Sequence, residues 1–357
     1  MSSEPPIKAK PTRRDVAELA GVSTAVVSYV VNNGPKRVAP ETADKVRRAI
    51  DTLGYRPNAV ARSLKIGSIQ TLGLVVPDLS NPYFAAVTRA VERAALAKGF
   101  ALLTTSSDLD VDIETAHLRV LEARGVDGVL VSSCVQGASL LQQALPGLPM
   151  VFLDRSSAPG IATVGVDSFQ GAYQAVTHLI EHGHRRVGLI VGEDEFVTGD
   201  GDRISGWKSA LSAAGLPEGP VEFGDFSLTG GYLAGRRMLA RADSPEAVFI
   251  TSDQQAMGFL RAAGEADKHV PRDIALVAFD GIPESAFSFP SLTTMAQPVN
   301  AMAEAAVELL ISGAGQGGER TKLSFNAELT IRESCGCPRR MSLSDDESLS
   351  TPSGLSS

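Results

Sequence analysis

From residue 70 onward the chain alternates short, unbroken apolar runs with longer amphipathic segments. The runs are Thr71–Val76, 101–104, Gly128–Val131, Met150–Leu153, 186–191, Ala247–Ile250 and 274–279. Between them lie segments such as 84–98, 113–124 and 169–182, whose apolar residues recur at helical spacing. A strand that is apolar on both faces must be covered on both faces. Parallel sheets with helical crossovers meet that need. About ten such units in roughly 265 residues exceed one sheet, so the pattern predicts an α/β region of two doubly wound lobes. Open sheets of this kind take ligands at the carboxyl ends of their strands. The polar residues there are Asp78, Ser80, Asp154, Arg155, Asp167, Asp253 and Asp280. Each could equally be a turn residue or a helix cap.

The first 67 residues are of a different kind. They carry twelve basic and six acidic side chains, a net +6, which leaves −14 for the rest of a chain whose total is −8. A basic head on an acidic body is the asymmetry of a nucleic-acid module joined to something else. Thr12 and Asp15 have the spacing of a capping box, and Val16, Ala17, Leu19 and Ala20 give the first helix an apolar side that Gly21 ends. Ser23 then caps a helix over Thr24–Val31. Two helices joined by a tight turn with Gly form a helix-turn-helix. A third helix begins near Pro40, with Ala43, Val46, Ile50 and Leu53 as its buried stripe and Gly54 as its stop. The second helix of such a unit reads the major groove. Its outward positions are Thr24, Ala25, Ser28 and Tyr29: two hydroxyls that can bond to bases or phosphates, a methyl for thymine, and a phenol.

The stretch Asp15-Val-Ala-Glu-Leu-Ala-Gly-Val-Ser-Thr-Ala-Val-Val-Ser-Tyr-Val-Val-Asn32, followed by Leu53-Gly-Tyr-Arg-Pro-Asn-Ala-Val-Ala-Arg-Ser-Leu64, resembles the headpiece of LacI/GalR-type bacterial transcription regulators. The body resembles the periplasmic-binding-protein type I fold that serves as effector domain in that family. Its marks are Pro77-Asp-Leu-Ser-Asn-Pro-Tyr-Phe84, Phe152-Leu-Asp-Arg155, Val164-Gly-Val-Asp167, Arg203-Ile-Ser-Gly-Trp207, Ser252-Asp253 and Phe279-Asp-Gly-Ile-Pro283. The resemblance implies a hinge helix over 58–64 that folds in the minor groove when a dimer binds a palindromic operator. There Leu64 would be the wedge, with Asn58, Ala61 and Arg62 at the DNA, which suits the physics of apolar wedges at a kinked base step. It implies an effector cleft lined by Tyr83, Phe84, Asp154, Arg203, Phe226, Asp253 and Asp280. Several carboxylates beside one Arg favour a sugar or other polyol, because carboxylates accept from hydroxyls and Arg donates a fork. Some positions depart from the family: Tyr29 replaces a frequent Arg, Ala39 a capping Ser, Ser252 a frequent Asn, and Gly281 a second Asp.

Cys134, Cys335 and Cys337 are too few for a disulfide framework. Cys335-Gly-Cys337 has no neighbouring His or further Cys in the sequence; His178 and His182 stand at i, i+4 with His184 beyond, a stretch that the resemblance implies is a helix end and turn, so no metal is expected. Neither a P-loop nor Gly-x-Ser-x-Gly nor His-Glu-x-x-His is present, and no enzyme and no cofactor is expected. The N-terminus lacks the apolar core of a signal peptide, and no run of 18 apolar residues occurs, so a cytoplasmic, nucleoid-associated protein is expected.

The expected organisation is a flexible N-terminus (1–11), a helix-turn-helix domain (12–57), a hinge and linker (58–69), a two-lobed effector-binding and dimerisation domain (70–337) and a disordered Ser-rich tail (338–357). The expected function is a homodimeric repressor released from double-stranded operator DNA by a small ligand, with a sugar favoured. Helix 84–98 and segment 300–310 are expected at the dimer face. The alternatives are a solute-binding protein of a transport system, or a nucleobase-type ligand acting as co-repressor.

Overall fold

The structure, a computed structural model, describes residues 11–31, 37–56, 67–132, 145, 147–153, 162–192, 202–313 and 321–337. The chain divides into two compact units, residues 1–69 and 70–357.

The first unit holds α1 (Arg13–Ala20), α2 (Thr24–Val31) and α3 (Pro40–Leu53). The start of α1 is closed reciprocally: Asp15 N–H donates to Thr12 Oγ1 at 3.4 Å, and Thr12 N–H donates to Asp15 Oδ2 at 2.7 Å. Donation from Thr12 N–H, and from Thr12 Oγ1 at 2.8 Å, to Oδ2 holds the Asp15 carboxyl below its usual value. Gly21 ends α1 at φ +64°, and Ser23 Oγ accepts from Val26 N–H at 3.4 Å at the start of α2. Ala39 gives α3 no side-chain cap, as its methyl dictates. Val16, Ala17, Val27, Val46 and Ala49 form the small core. Leu19 points away from it and is 55% exposed, so α1 has a narrower apolar face than the sequence suggests.

The second unit contains two six-stranded sheets of matching order. The first runs β2 (Ala101–Ser106), β1 (Thr71–Val76), β3 (Gly128–Val131), β4 (Met150–Leu153), β5 (Ala162–Val166), β11 (Lys322–Phe325). The second runs β7 (Val221–Phe223), β6 (Val187–Val191), β8 (Ala247–Ile250), β9 (Ala275–Asp280), β10 (Thr294–Ala296), β12 (Glu328–Thr330). All neighbours are parallel except β10 and β12. The chain passes between the lobes after β5, after β10 and after β11.

In the first lobe, α4 (Pro82–Ala97) and α10 (Val299–Ser312) cover one sheet face through Val87, Val91, Met302, Ala306 and Leu310. On the other face, α5 (Val111–Ala123) packs Leu118 and Leu121 against Val75, Val129 and Val131. In the second lobe, α6 (Ser168–Glu181) and α7 (Asp202–Ala213) bring Val176, Leu179, Trp207 and Leu211 onto Leu189, Phe249 and Val277. Opposite them, α8 (Leu228–Ala240) and α9 (Asp253–Glu265) bring Met238 and Phe259 onto Ile190, Val248 and Leu276. Trp207 is fully buried, and its indole N–H donates to the Val187 carbonyl at 3.1 Å, which satisfies its one polar atom. Among the described residues no helix is long and apolar enough to cross a membrane.

Candidate functional site

The outward side of α2 carries Thr24 and Ala25, which are exposed, and Ser28 and Tyr29, which are half-buried. Val27 anchors the inner side at full burial. The four residues therefore share one accessible stripe on a helix fixed by α1 and α3. Asn58, Ala61, Arg62 and Leu64 lie outside the described residues, as does Asp154.

In the second unit a cleft of about 190 Å³ opens between the lobes. Its walls are the carboxyl ends of strands, where open α/β sheets bind ligands. Pro77 and Asp78 follow β1, Ser132 follows β3, Ser252 follows β8 and Asp280 ends β9. Tyr83 and Phe84 enter from the first turn of α4, and Phe226 from the loop after β7. Asn81 caps α4 by accepting from Tyr83 N–H at 3.0 Å, and its Nδ2 donates across the cleft to the Phe226 carbonyl at 3.4 Å. Phe226 has room because residue 192 is Gly: a Cβ there would lie 2.6 Å from the phenyl ring. Tyr83 and Phe84 meet edge to face, with ring centroids 5.2 Å apart.

Apart from Asp78, the charged residues of the cleft belong to the second lobe. Arg203, near the start of α7, is only 5% exposed. Its Nη1 donates to the Thr251 carbonyl at 3.1 Å, and its guanidinium sits 4.5 Å from the Phe279 ring centroid. Asp280 is 8% exposed and adopts φ +117°, a backbone conformation that L side chains rarely take. Gln297 Nε2 donates to Asp280 Oδ1 at 3.1 Å, while Gln297 Oε1 accepts from the Tyr83 hydroxyl at 3.0 Å. A hydrogen-bonded relay thus links α4 of the first lobe to the end of β9 in the second. Gly281 follows at φ +76°, and a Cβ there would meet Ala296 Cα at 2.5 Å. The backbone there leaves no space for a side chain.

Sequence reasoning grouped Asp253 with the cleft residues, but the structure turns it inward. Asp253 is fully buried; its Oδ2 accepts from Ile282 N–H at 2.8 Å and from Ser285 Oγ at 2.6 Å, and its Oδ1 accepts from Thr294 Oγ1 at 2.6 Å. Burial pushes its pKa up to about 6 against the pull of those donors. Ser252 beside it caps α9 by accepting from Gln255 N–H at 3.1 Å and also lines the cleft. Tyr83, Phe84, Arg203, Phe226 and Asp280 do come together. The sequence alone does not single out Asn81, Leu109, Ser132, Asp225, Ser227 or the bridging Gln297. Asn81 sits inside the motif that ends at Phe84, so its place before an aromatic pair is the available signal.

The structure brings together residues that lie far apart in the sequence: Cys337 Sγ lies 3.6 Å from His178 Nε2 and 3.2 Å from His182 Nε2. Their sequence separations are 159 and 155 residues, which is why no local spacing reveals the group.

A helix-turn-helix in a basic head, joined to a two-lobed body with a cleft between its lobes, defines a ligand-responsive transcription regulator. The chain belongs to the lacI family of bacterial regulatory proteins, whose model matches residues 12–58, and a periplasmic binding protein-like domain model matches residues 176–335. It is 39% identical over 306 residues to the HTH-type transcriptional repressor PurR of Pectobacterium carotovorum, covering 84% of this chain and 89% of that protein. The corresponding repressor of Pasteurella multocida is 36% identical, over 90% of this chain and 98% of that one. Among solved structures, the lac repressor dimer bound to operator and the anti-inducer ONPF superimposes with a TM-score of 0.82 at 27% identity, covering 91% of this chain and 99% of that one. The transcriptional regulator CelR in complex with cellobiose gives 0.68 at 33% identity, with the same coverage.

Proposed function

We infer that the protein is a homodimeric repressor whose operator affinity is set by a small planar ligand held in the interlobe cleft. The observation that carries the ligand class is that Phe84 and Phe226, one phenyl from each lobe, line the same cleft as Arg203 and Asp280. Two aromatic rings suit a flat ring between them. Asp280 then accepts from ring N–H groups, and Arg203 donates to a ring carbonyl or nitrogen. A polyol needs several free carboxylates, and Asp253 spends its oxygens on the protein's own donors. That shifts the balance from a sugar to a nucleobase-type heterocycle. Asp154 joins the same contact set by family resemblance.

The sugar reading keeps a specific support, because a lacI-family regulator from Enterococcus faecium with bound ribose has a TM-score of 0.65 and 28% identity to this chain. Calorimetry with full-length protein separates the two. Nucleobases should bind and monosaccharides should not. The reverse pattern would replace this reading with the sugar one.

On DNA, Thr24, Ala25, Ser28 and Tyr29 read the major groove, and Asn58, Ala61, Arg62 and Leu64 form the minor-groove hinge. Tyr29 cannot make the bidentate guanine contact of an Arg, so the operator differs at that base pair. Pairing of two hinges requires a dimer. α4 and α10 are held together by Arg93 Nη2, which donates to Asn300 Oδ1 at 2.8 Å, and by the Lys98–Glu308 ion pair; Leu96 on α4 stays 71% exposed for a partner subunit. Sedimentation should give a dimer at micromolar concentration. Ligand in the cleft acts on the Tyr83–Gln297–Asp280 relay, and so on the lobe closure that spaces the hinges.

A further inference from the structure

The second lobe carries a chemically distinct group at the end of its sheet opposite the cleft. α6 runs away from the cleft and ends at the turn that feeds the start of β6, which places His178 and His182 at the amino ends of the strands. β12 is antiparallel to β10, so the chain that leaves it, with Cys335 and Cys337, arrives at the same end. Nε2 or Nδ1 of His178 and the two sulfur atoms all lie within 4.8 Å of one another. His182 stands one helical turn from His178, with ring centroids 4.6 Å apart, and is closest to Cys337.

We propose that His178, His182, Cys335 and Cys337 form a tetrahedral site for a zinc-class divalent metal. The donor set is two imidazoles and two thiols, which zinc prefers over hard cations. The two separations at Cys337 suit it as well. Ligands at about 2.3 Å (sulfur) and about 2.05 Å (nitrogen) from a tetrahedral zinc stand about 3.6 Å apart. The observed sulfur–nitrogen separations are 3.6 and 3.2 Å.

The surroundings hold the donors in place. Thr293 Oγ1 donates to Cys335 Sγ at 3.1 Å and itself accepts from Arg332 N–H at 2.9 Å. Ser334 Oγ donates to the Leu276 carbonyl at 2.8 Å, and Ser291 Oγ to Glu333 Oε2 at 2.9 Å. The strap that delivers Cys335 is therefore anchored to the sheet without metal, and Thr293 orients the sulfur as an outer-shell partner. Cys337 and His182 lie nearer the surface, where an ion can enter. Both thiols lose their protons on binding, and the bound ion would fasten the C-terminal segment to α6.

The test uses the full chain, stripped with chelator and kept reduced with a phosphine, titrated with cobalt(II) and then zinc(II). One equivalent of cobalt should produce the visible bands of a tetrahedral ion and a thiolate charge-transfer band, both erased by zinc. Cys337→Ser and His182→Gln should each weaken cobalt binding on the order of 100-fold, whereas Cys134→Ser should leave it unchanged. Zinc should raise the melting temperature of the unaltered chain by about 5 °C or more at a hundredfold excess over its dissociation constant, and should not do so in Cys337→Ser. Cys335 is buried in the lobe core, where a substitution would also disturb packing, so the test rests on the more accessible Cys337 and His182. A featureless octahedral cobalt spectrum, wild-type affinity in both Cys337→Ser and His182→Gln, or loss of the bands in Cys134→Ser would each overturn the site.

Discussion

The two lobes share one strand order but contribute different chemistry. The first lobe brings Tyr83, Phe84, Leu109 and Pro77 to the cleft beside the polar Asn81 and Ser132 and one carboxylate, Asp78, delivered by the ends of β1 and β3, the start of α4 and the loop before α5. The second brings Arg203, Asp280, Asp225 and one more ring, Phe226. It also carries the strained backbone at Asp280, the inward Asp253 and the His/Cys group at its far end. A repeated architecture thus gives two equivalent rims, and the side chains at the strand ends decide that one supplies a stacking surface while the other selects polar groups. Fold is common to both; recognition is not.

The largest effect expected is structural and confined to one lobe. Trp207→Ala removes a fully buried indole and its bond to Val187, and should cost about 3–5 kcal/mol. Differential scanning calorimetry should show the second lobe melting early. An unchanged melting profile would mean that α7 is not the keystone of that lobe.

Next comes the selecting rim. Arg203→Ala should lower ligand affinity by about 100-fold, because it leaves a desolvated polar group of the ligand without its donor. Operator binding in the absence of ligand should persist. Phe84→Ala, on the stacking rim, should cost only about tenfold, in line with the lost contact of one ring. If Phe84→Ala proved the more severe of the two, the assignment of roles to the rims would be reversed.

A smaller effect separates two aspartates that look alike in sequence. The folded pKa of Asp253 lies at about 6, above its ordinary 3.8. Its stabilising contribution is fully present below about 3.8 and is lost as pH rises through about 6. Chemical denaturation between those values should show stability falling with pH from this group, and Asp253→Asn should flatten that component. An unaltered profile in Asp253→Asn would remove the group from the account.

Those aspartates also show how much the sequence can convey. Five strands are legible nearly to the residue, because β1, β3, β4, β6 and β8 are short runs buried along nearly their whole length. β7, β10 and β12 are three residues each, and β11 is a mostly exposed edge; none has a periodicity to read. At the site, aromatic residues after a strand are readable, since open sheets of this kind bind ligands at the carboxyl ends of their strands. Asp253 and Asp280 each sit at the end of a β-strand unit, and only tertiary donors distinguish the one that faces the cleft. The His/Cys group is present in the sequence as two half-patterns, a His pair at i, i+4 and a Cys-x-Cys. Their union depends on β12 returning antiparallel beside β10, which no local signal encodes.

Head and body differ as sharply in charge as the lobes do in chemistry, and their coupling is the central claim. Fluorescence anisotropy of a labelled duplex from upstream of the protein's own gene, titrated with the full chain at two salt concentrations, tests it directly. Binding should weaken steeply with salt, as expected of a basic head on phosphates. At fixed salt, a nucleobase that binds the body should shift the apparent Kd for DNA, and Arg203→Ala should abolish that shift. A Kd for DNA that stays constant while the body is saturated with ligand would contradict the account.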